Sequence, residues 1–210
     1  MQHNSVSQNL TTYVVDDDDA VRDALSLFLE VHDIPHVTFA SADAFFKVYD
    51  SAQPGCLILD VRMPGMDGLE LQQKLKAVMS YLPIIFISGH GDIPLAVEVM
   101  RQGALDFMRK PIKQDLLLKR IKEAYQQVIE RQQVNAELGQ YIKNHQRLTK
   151  REREIFVLVC NGASNKLIAS DLSISERTVE VHRSNVMQKL NVKNLPEMVK
   201  VKMLLDQAQY

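Results

Sequence analysis

The amino-acid sequence predicts an α/β domain with a doubly wound parallel sheet, followed by a smaller all-α domain. Three observations lead to this prediction. The length of 210 residues allows two small domains that can each bury a core. Up to about residue 112, short apolar runs alternate with segments of helical periodicity, whereas beyond residue 147 the periodicity is helical alone. A composition of 46% hydrophobic and 24% charged residues excludes a mostly disordered or fibrous chain.

Continuous apolar runs that end in a polar residue predict the strands, because parallel strands covered on both faces are apolar throughout. The clearest runs cover residues 13–15, 56–59 and 84–87. Weaker patterns predict two further strands at 35–39 and 106–108.

Apolar residues at helical spacing separate these runs, at residues 20–31, 43–48, 69–79 and 94–102. Five alternating strand and helix units are typical of a flavodoxin-like (βα)5 sheet. Residues 116–138 predict a last helix that continues into a polar connector.

We predict domain boundaries at 1–123 for the α/β domain, 124–146 for a helical connector and 147–210 for the all-α domain. A connector rich in Gln, Glu and Lys suits either a helical spacer or a flexible one, so its order stays open.

The second domain is predicted to have four helices, of which the last three cover 165–172, 176–190 and about 196–207. Short helices joined by a turn of three or four residues indicate a helix-turn-helix. Its predicted core consists of the apolar residues Ile168, Ala169, Leu172, Val179, Val186 and Leu190.

Polar residues mark where these helices begin. Thr149 and Glu152 have the spacing of a capping box at the start of the first helix. Either Ser173 or Ser175 would cap the third.

The two cysteines, Cys56 and Cys160, lie in apolar runs and are predicted to be buried, unreactive thiols. The polar N-terminal residues do not resemble a secretory signal, and no apolar run approaches the roughly 20 residues that span a bilayer. We therefore expect a cytoplasmic protein with no membrane partner.

Polar side chains follow the predicted strands at their carboxyl ends, where ligands bind in such sheets. These residues are Asp16, Asp60 and Ser88, with Lys110 after the last strand. Asp16 begins a run of four aspartates, which either contributes to a Mg²⁺ site or ends the strand and caps the next helix.

The combination of carboxylates, a hydroxyl and an ammonium group is what phosphoryl transfer to a carboxylate requires. One aspartate attacks, while a cation and the ammonium group cover the phosphoryl oxygens. Pro111 directly follows Lys110, and a cis bond between them would direct the lysine side chain toward the site.

These motifs resemble the receiver domain of bacterial two-component response regulators. The resemblance covers about 120 residues, and its motifs are residues 14–17, 59–68, 88–92 and 110–111. It implies that a sensor histidine kinase phosphorylates Asp60, and that Lys110 pairs with the phosphoryl group.

The resemblance also implies a Mg²⁺ cofactor, bound directly by Asp17, Asp60 and the Arg62 carbonyl and partly through water by Asp16. Ser88 and Phe107 match the family's switch positions. Without the resemblance, Phe107 would be interpreted as a core residue.

The segment 91–97 resembles the FixJ subgroup, whose receivers dimerise through the fourth helix and fifth strand. Val97, Arg101 and Asp106 match that face. A match at 17–21 to haloacid-dehalogenase-type phosphatases is only five residues long and therefore weak. Such enzymes also need a substrate cap, for which this segment has no evident room.

Residues 148–154, 162–169 and 175–182 resemble the LuxR/NarL-type DNA-binding domain, and the resemblance covers roughly 60 residues. The resemblance implies that three residues face base edges, namely Glu180, Val181 and Ser184. It implies that five residues mainly contact phosphates, namely Lys166, Thr178, His182, Arg183 and Lys189. His182 has structural packing as an alternative role.

The net charge of −1 is the sum of a negatively charged first part and a positively charged second domain. Residues 147–210 contain 11 Lys and Arg against 7 Asp and Glu, whereas residues 1–146 contain 14 against 19. A modestly basic second domain is compatible with nucleic acid.

We therefore predict a phosphorylation-controlled transcription factor rather than an enzyme. Its expected partners are a sensor histidine kinase, promoter DNA, RNA polymerase and, after phosphorylation, a second copy of the chain. The alternative is a receiver whose C-terminal helices bind a protein.

Overall fold

The computed structural model describes residues 10–89 and 93–208. The chain divides into two compact units, and the division falls between Arg131 and Gln132. Within the described ranges, no helix is both long and apolar enough to cross a membrane. Residues 90–92, which belong to the predicted receiver motif after the fourth strand, lie outside the described residues.

A five-stranded parallel sheet forms the centre of the first unit. The strands are β1 (Thr11–Val15), β2 (His36–Phe39), β3 (Gly55–Asp60), β4 (Ile84–Ser88) and β5 (Asp106–Arg109). Their order in the sheet is β2-β1-β3-β4-β5. The order reverses between β1 and β3, so the carboxyl ends of these two strands flank the crevice where ligands bind in such sheets. The predicted doubly wound α/β class is confirmed.

Helices cover both faces of this sheet, which explains why its central strands are largely apolar and buried. They are α1 (Asp19–Val31), α2 (Ala42–Val48), α3 (Gly68–Ala77), α4 (Ile93–Arg101) and α5 (Gln114–Gln146). Along β3, Leu57 and Leu59 face the core formed with α2, α3 and α4. Cys56 and Ile58 alternate with them and face the core formed with α1 and α5.

The second unit contains α6 (Lys150–Cys160), α7 (Asn165–Leu172), α8 (Glu176–Leu190) and α9 (Leu195–Gln207). The predicted helix-turn-helix core is confirmed, with only Leu172 less than fully buried. The fully buried members are Ile168, Ala169, Val179, Val186 and Leu190.

Side-chain caps fix where these helices begin. The Thr149 hydroxyl accepts the backbone N–H of Glu152, and a Glu152 carboxylate oxygen accepts the N–H of Thr149, so the predicted capping box is confirmed. Ser175 caps α8 by accepting the Thr178 N–H. Ser173 instead ends α7 in the left-handed conformation, with φ of 52°.

The segment 124–146, expected to be a helical connector, forms the C-terminal part of α5. Residues at both ends of this segment belong to the units themselves. Ala124 is buried in the first unit, and the Tyr125 hydroxyl lies 2.8 Å from the Thr12 hydroxyl. Tyr141 packs against the core of the second unit, where the buried Asn144 donates to the Leu190 carbonyl at 3.4 Å. The polar average composition of the segment conceals these individual anchors.

The two cysteines differ in burial. Cys56 is fully buried as predicted, and burial raises the pKa of its thiol to about 12, although a hydrogen bond with Thr12 opposes the shift. Cys160 is only half-buried, which corrects the prediction. Its side chain packs at the edge of the second core, and burial still raises its pKa to about 11.

Gly55 provides a test of the packing between β1 and β3. A Cβ at this position would lie 1.9 Å from the Thr11 carbonyl oxygen. We expect Gly55→Ala to lower the free energy of unfolding of the first unit by about 1–3 kcal/mol, as overpacked positions do. Urea unfolding followed by circular dichroism measures this.

Gly139→Ala is the control for adding a methyl group where space is open. Gly139 lies in the part of α5 that belongs to the second unit, and a Cβ there meets nothing within 4 Å. Alanine should stabilise the helix by about 0.5–1 kcal/mol. The two substitutions therefore have opposite expected signs. Unchanged stability of Gly55→Ala would contradict the close approach of the two strands.

Candidate functional site

Three charged side chains meet at the carboxyl edge of the sheet. Asp16 and Asp60 emerge side by side, because the residues before them, Val15 and Leu59, are partners in the β1–β3 register. The Lys110 ammonium group, just beyond β5, donates to Asp16 Oδ2 and Asp60 Oδ1, both at 2.6 Å. Both carboxylates are buried, with exposed fractions of 0% and 6%. The structure thus brings together the predicted acceptor, its acidic neighbour and the predicted lysine.

The electrostatics of this group reflect burial opposed by pairing. Burial raises the pKa of the Asp16 carboxyl above its ordinary value, while the hydrogen bond from Lys110 acts in the opposite direction. Burial alone would lower the pKa of Lys110, but its hydrogen bonds to Asp16 and Asp60 outweigh this effect and raise it. Two carboxylates and one ammonium group leave a formal charge of −1 at the site.

The loop after β3 orients the Asp60 carboxylate. Asp60 Oδ2 accepts the backbone N–H of Arg62 at 2.7 Å, while Oδ1 accepts from Lys110. Gly68 returns the chain close to the strand end: a Cβ there would lie 2.4 Å from the Asp60 carbonyl oxygen. The carboxylate is therefore held by one contact on each oxygen and by a tightly folded loop.

The two predicted switch residues lie on neighbouring strands. Ser88 ends β4, is buried, and its carbonyl accepts the backbone N–H of Lys110 at 2.8 Å. Ser88 is thus next to the charged group. Phe107 on β5 is half-buried and packs against the core shared with α2, α3 and α4. The Lys110–Pro111 peptide bond is cis, as the sequence suggested.

The aspartate run divides into different roles. Asp17 directly follows Asp16 and is exposed, whereas the Asp18 carboxylate accepts the Ala20 N–H and caps α1. The helix-capping interpretation, which the sequence left open, is correct for Asp18.

The oxygen donors at this edge fit a magnesium ion. Mg²⁺ usually takes one or two carboxylates and keeps several water molecules. Among the described residues, no three His, Cys, Asp or Glu side chains are grouped closely enough to form a metal cage. The ligands that the sequence predicted, Asp17, Asp60 and the Arg62 carbonyl, are hard oxygen donors of the kind that such a partly hydrated ion takes. The negative formal charge of the site favours a cation.

The predicted dimer face is largely exposed. Val97 on α4 is 52% exposed, and Arg101 lies one turn further along the same helix. Asp106 on β5 is half-buried, and its carboxylate accepts from the Arg120 Nε at 2.6 Å. The sequence did not single out Arg120, whose i,i+3 spacing from Glu123 was the available signal.

The residues predicted to face DNA bases are on the outer side of α8. Glu180, Val181 and Ser184 are exposed, with Val181 at 53%. An exposed valine beside charged residues on a recognition helix is suited to contact a thymine methyl group.

The five residues predicted to contact phosphates have different environments. Lys166 is exposed on α7. Arg183 donates to the Asn165 side-chain oxygen at 2.6 Å, and Lys189 to Glu152 at 2.7 Å. The Thr178 hydroxyl lies 2.8 Å from that of Ser175. His182 is half-buried, and its Nδ1 has no hydrogen-bond partner among the described residues.

Two supporting residues were missed in the sequence. Asn165 orients Arg183, and Glu152 anchors Lys189 as well as capping α6. Glu152 was recognisable only as a capping residue. Its ion pair joins positions 37 residues apart, which no local pattern indicates.

A sheet with an acidic, lysine-bridged edge and a helix-turn-helix unit with an exposed recognition helix define a response regulator with a DNA-binding output. Family models agree. Residues 12–122 match the response regulator receiver domain, and residues 146–202 match the luxR family of bacterial regulatory proteins. The chain belongs to the response regulator receiver family and is a FixJ-like transcriptional regulator.

Individual relatives support this assignment over nearly the whole chain. The transcriptional regulatory protein FixJ of Azorhizobium caulinodans is 40% identical over 204 residues, covering 96% of this chain and 95% of the relative. The response regulator TodT of Pseudomonas putida is 41% identical over 189 residues, covering 90% and 83%.

Two solved structures are also similar. The response regulator StyR has a TM-score of 0.79 and 42% identity, covering 92% of this chain and 98% of that one. Full-length FixJ from B. japonicum has a TM-score of 0.58 and 40% identity, covering 94% and 97%. The luxR-family match favours DNA over protein as the target of the C-terminal helices.

Glu152 allows a test of the second unit. Burial would raise the pKa of its carboxyl, but the hydrogen bonds from Lys189 and Thr149 hold it below its ordinary value of 4.5. The folded state therefore favours the ionised form. We expect Glu152→Gln to cost about 1–3 kcal/mol at neutral pH, as loss of a hydrogen bond to a charged group does.

This cost should depend on pH. Because the folded pKa is below the unfolded one, the stabilisation is fully present above about pH 4.5 and is lost as the pH falls through the folded value. Glu154→Gln is the control, since Glu154 pairs with Arg151 at the surface and should contribute at most about 1 kcal/mol. If both substitutions lower the free energy of unfolding equally in urea, the stabilising role of the ionised Glu152 carboxylate is contradicted.

Proposed function

We propose that a sensor histidine kinase phosphorylates Asp60, and that phosphorylation promotes receiver dimerisation and promoter binding. The observation that carries this proposal is the Lys110 ammonium group, which hydrogen-bonds both Asp60 and Asp16 at the carboxyl edge of the sheet. This contact supports the proposal because a positive group already lies against the carboxylate that would accept the phosphoryl group.

In the proposed transfer, an Asp60 carboxylate oxygen forms the new P–O bond. The P–N bond to the kinase histidine breaks, and the departing imidazole nitrogen takes up a proton. The Arg62 N–H and the Lys110 ammonium group orient the two carboxylate oxygens. The same ammonium group then lies beside the charge that the phosphoryl group brings.

The cofactor in this proposal is Mg²⁺, which would be held by Asp17, Asp60 and the Arg62 carbonyl, with Asp16 acting partly through water. When bound, the ion neutralises charge on the phosphoryl oxygens. The excess negative charge of the Asp16, Asp60 and Lys110 group supports its binding.

The proposed response begins at Ser88. Its hydroxyl would hydrogen-bond the phosphoryl group, and Phe107 would move further into the core. Ser88 adjoins Lys110, and Phe107 lies on the adjacent strand in register with Phe86. Phosphorylation acts only through the difference in stability between the two receiver states.

The proposed output is a dimer that uses the face around Val97, Arg101 and Asp106. Two recognition helices would then occupy half-sites about one helical turn apart. Glu180, Val181 and Ser184 would read base edges, while Lys166, Thr178, His182, Arg183 and Lys189 would mainly hold phosphates. We further propose that RNA polymerase is the partner at the promoter.

Asp60→Asn tests the acceptor, because an amide cannot form the acyl phosphate. We expect labelling by radioactive acetyl phosphate with Mg²⁺ to fall to background. In sedimentation velocity, acetyl phosphate should shift the wild-type chain toward a dimer and leave the variant unchanged.

Asp50→Asn is the control, since Asp50 precedes β3 at the opposite edge of the sheet. It should be labelled like the wild type. Acid-labile phosphate that persists in Asp60→Asn would place the nucleophile elsewhere. Identical sedimentation of the phosphorylated and unphosphorylated wild type would exclude dimerisation as the response.

Lys166→Ala tests a phosphate contact on a random-sequence duplex. Each lost contact should reduce the slope of log K against log salt by about 1. Lys202→Ala is the matched control, because Lys202 on α9 is paired with Asp206. Its slope should equal that of the wild type. A wild-type slope for Lys166→Ala would remove this residue from the interface.

A further inference from the structure

Asp18 and Asp19 are not used by the proposed acceptor site, although they directly follow its metal-binding aspartates. They lie next to the side chain of Arg22, whose contacts the sequence did not suggest. Arg22 lies in the first turn of α1, and only 14% of its side chain is exposed. Its Nη1 donates to the Asp16 carbonyl oxygen at 2.6 Å, and its Nη2 forms an ion pair with the Asp19 carboxylate.

The turn between β1 and α1 is tied at further points. The Asp18 N–H donates to Asp16 Oδ1 at 3.0 Å, and the Ala20 N–H donates to Asp18 Oδ1 at 2.9 Å. Hydrogen bonds thus hold the chain on both sides of Asp17, from Asp16 to the first turn of α1. The Asp16 carboxylate also accepts from Lys110, so the set is continuous with the acceptor site.

We propose that Arg22 is a positioning residue for the divalent cation. Together with Asp18 and Asp19, it fixes the turn that carries Asp17. The proposal rests on the function proposed above, in which Asp17 binds the cation. A carboxylate on a free turn loses conformational freedom each time a cation binds, whereas a tied turn has already lost that freedom on folding.

The charge of Arg22 does not argue against this role. Its guanidinium group is paired with Asp19, whose carboxylate is 86% exposed and has no place in the proposed cation site. Asp19 therefore offsets the positive charge close to the cation. The planar guanidinium group also reaches two acceptors simultaneously, which a lysine ammonium on the same turn does less well.

The test measures cation binding directly in the full chain, with Mn²⁺ titration followed by electron paramagnetic resonance and Mg²⁺ calorimetry. Arg22→Ala should weaken the affinity about tenfold, in the range typical of residues that orient metal ligands. Arg22→Lys keeps the charge but loses the two-pronged contact, so its affinity should fall similarly. Asp19→Asn should have a smaller effect in the same direction.

A second measurement needs no metal. Hydrogen exchange of the Asp18 amide, which donates to Asp16, should become faster in Arg22→Ala. Acetyl phosphate labelling of Arg22→Ala should require more Mg²⁺ yet reach the wild-type rate at saturation. A structural defect would instead lower the rate at every concentration.

Lys119→Ala is the control for loss of one positive charge, because Lys119 lies on α5 and is 67% exposed. It should bind the cation like the wild type. Unchanged or tighter binding by Arg22→Ala would overturn the proposal, as would wild-type affinity of Arg22→Lys. If Arg22→Ala does not fold, Asp19→Asn decides, and wild-type affinity in that variant would overturn it.

Failure of the proposed function would look different. In that case the wild-type chain would bind no divalent cation at the site, or Asp60→Asn would still be labelled. If the wild type binds the cation and is labelled at Asp60, and Arg22→Ala binds the cation with equal affinity, only the role of Arg22 is rejected.

Discussion

The first unit depends on one ammonium group that is shared by two buried carboxylates. Asp16 and Asp60 end neighbouring strands and would repel each other without a cation between them. Lys110 follows β5, which is separated from β3 by β4 in the sheet. Its hydrogen bonds therefore connect the acidic edge to the strand that carries Phe107 and Asp106. A change of charge at Asp60 therefore changes the hydrogen-bond partner of Lys110, which directly follows β5.

The second unit uses the same physical solution for a different purpose. Glu152 is a buried carboxylate paired with a partly exposed lysine, Lys189, just as Asp16 is paired with Lys110. Removing one partner of a buried pair leaves an uncompensated charge, so both pairs make their surroundings sensitive to substitution. In the first unit the pair lies beside Asp60, the proposed phosphoryl acceptor. In the second it holds the end of the recognition helix.

Much of this organisation could be predicted, because it follows from patterns within short segments. Apolar runs ending at Asp16 and Asp60 located both the strands and the acidic edge, and Thr149 located a helix start. Contacts of long side chains were not predictable, because they depend on rotamers and on distant partners. Examples are the contacts of Arg22 with the Asp16 carbonyl, of Arg183 with Asn165 and of Arg120 with Asp106. Averaged polarity likewise hid anchors within α5. The choice between Ser173 and Ser175 as the cap of α8 depended on the backbone, which is left-handed at Ser173 and extended at Ser175.

The anchoring of α8 has a consequence for how such chains diversify. Asn165 and Glu152, which hold Arg183 and Lys189, both belong to the second unit. A recognition helix oriented from within its own unit is portable, since Arg183 and Lys189 keep their supporting contacts when a different sensing domain is joined upstream. New pairings of input and output can then arise by gene fusion without redesign of the DNA-reading surface.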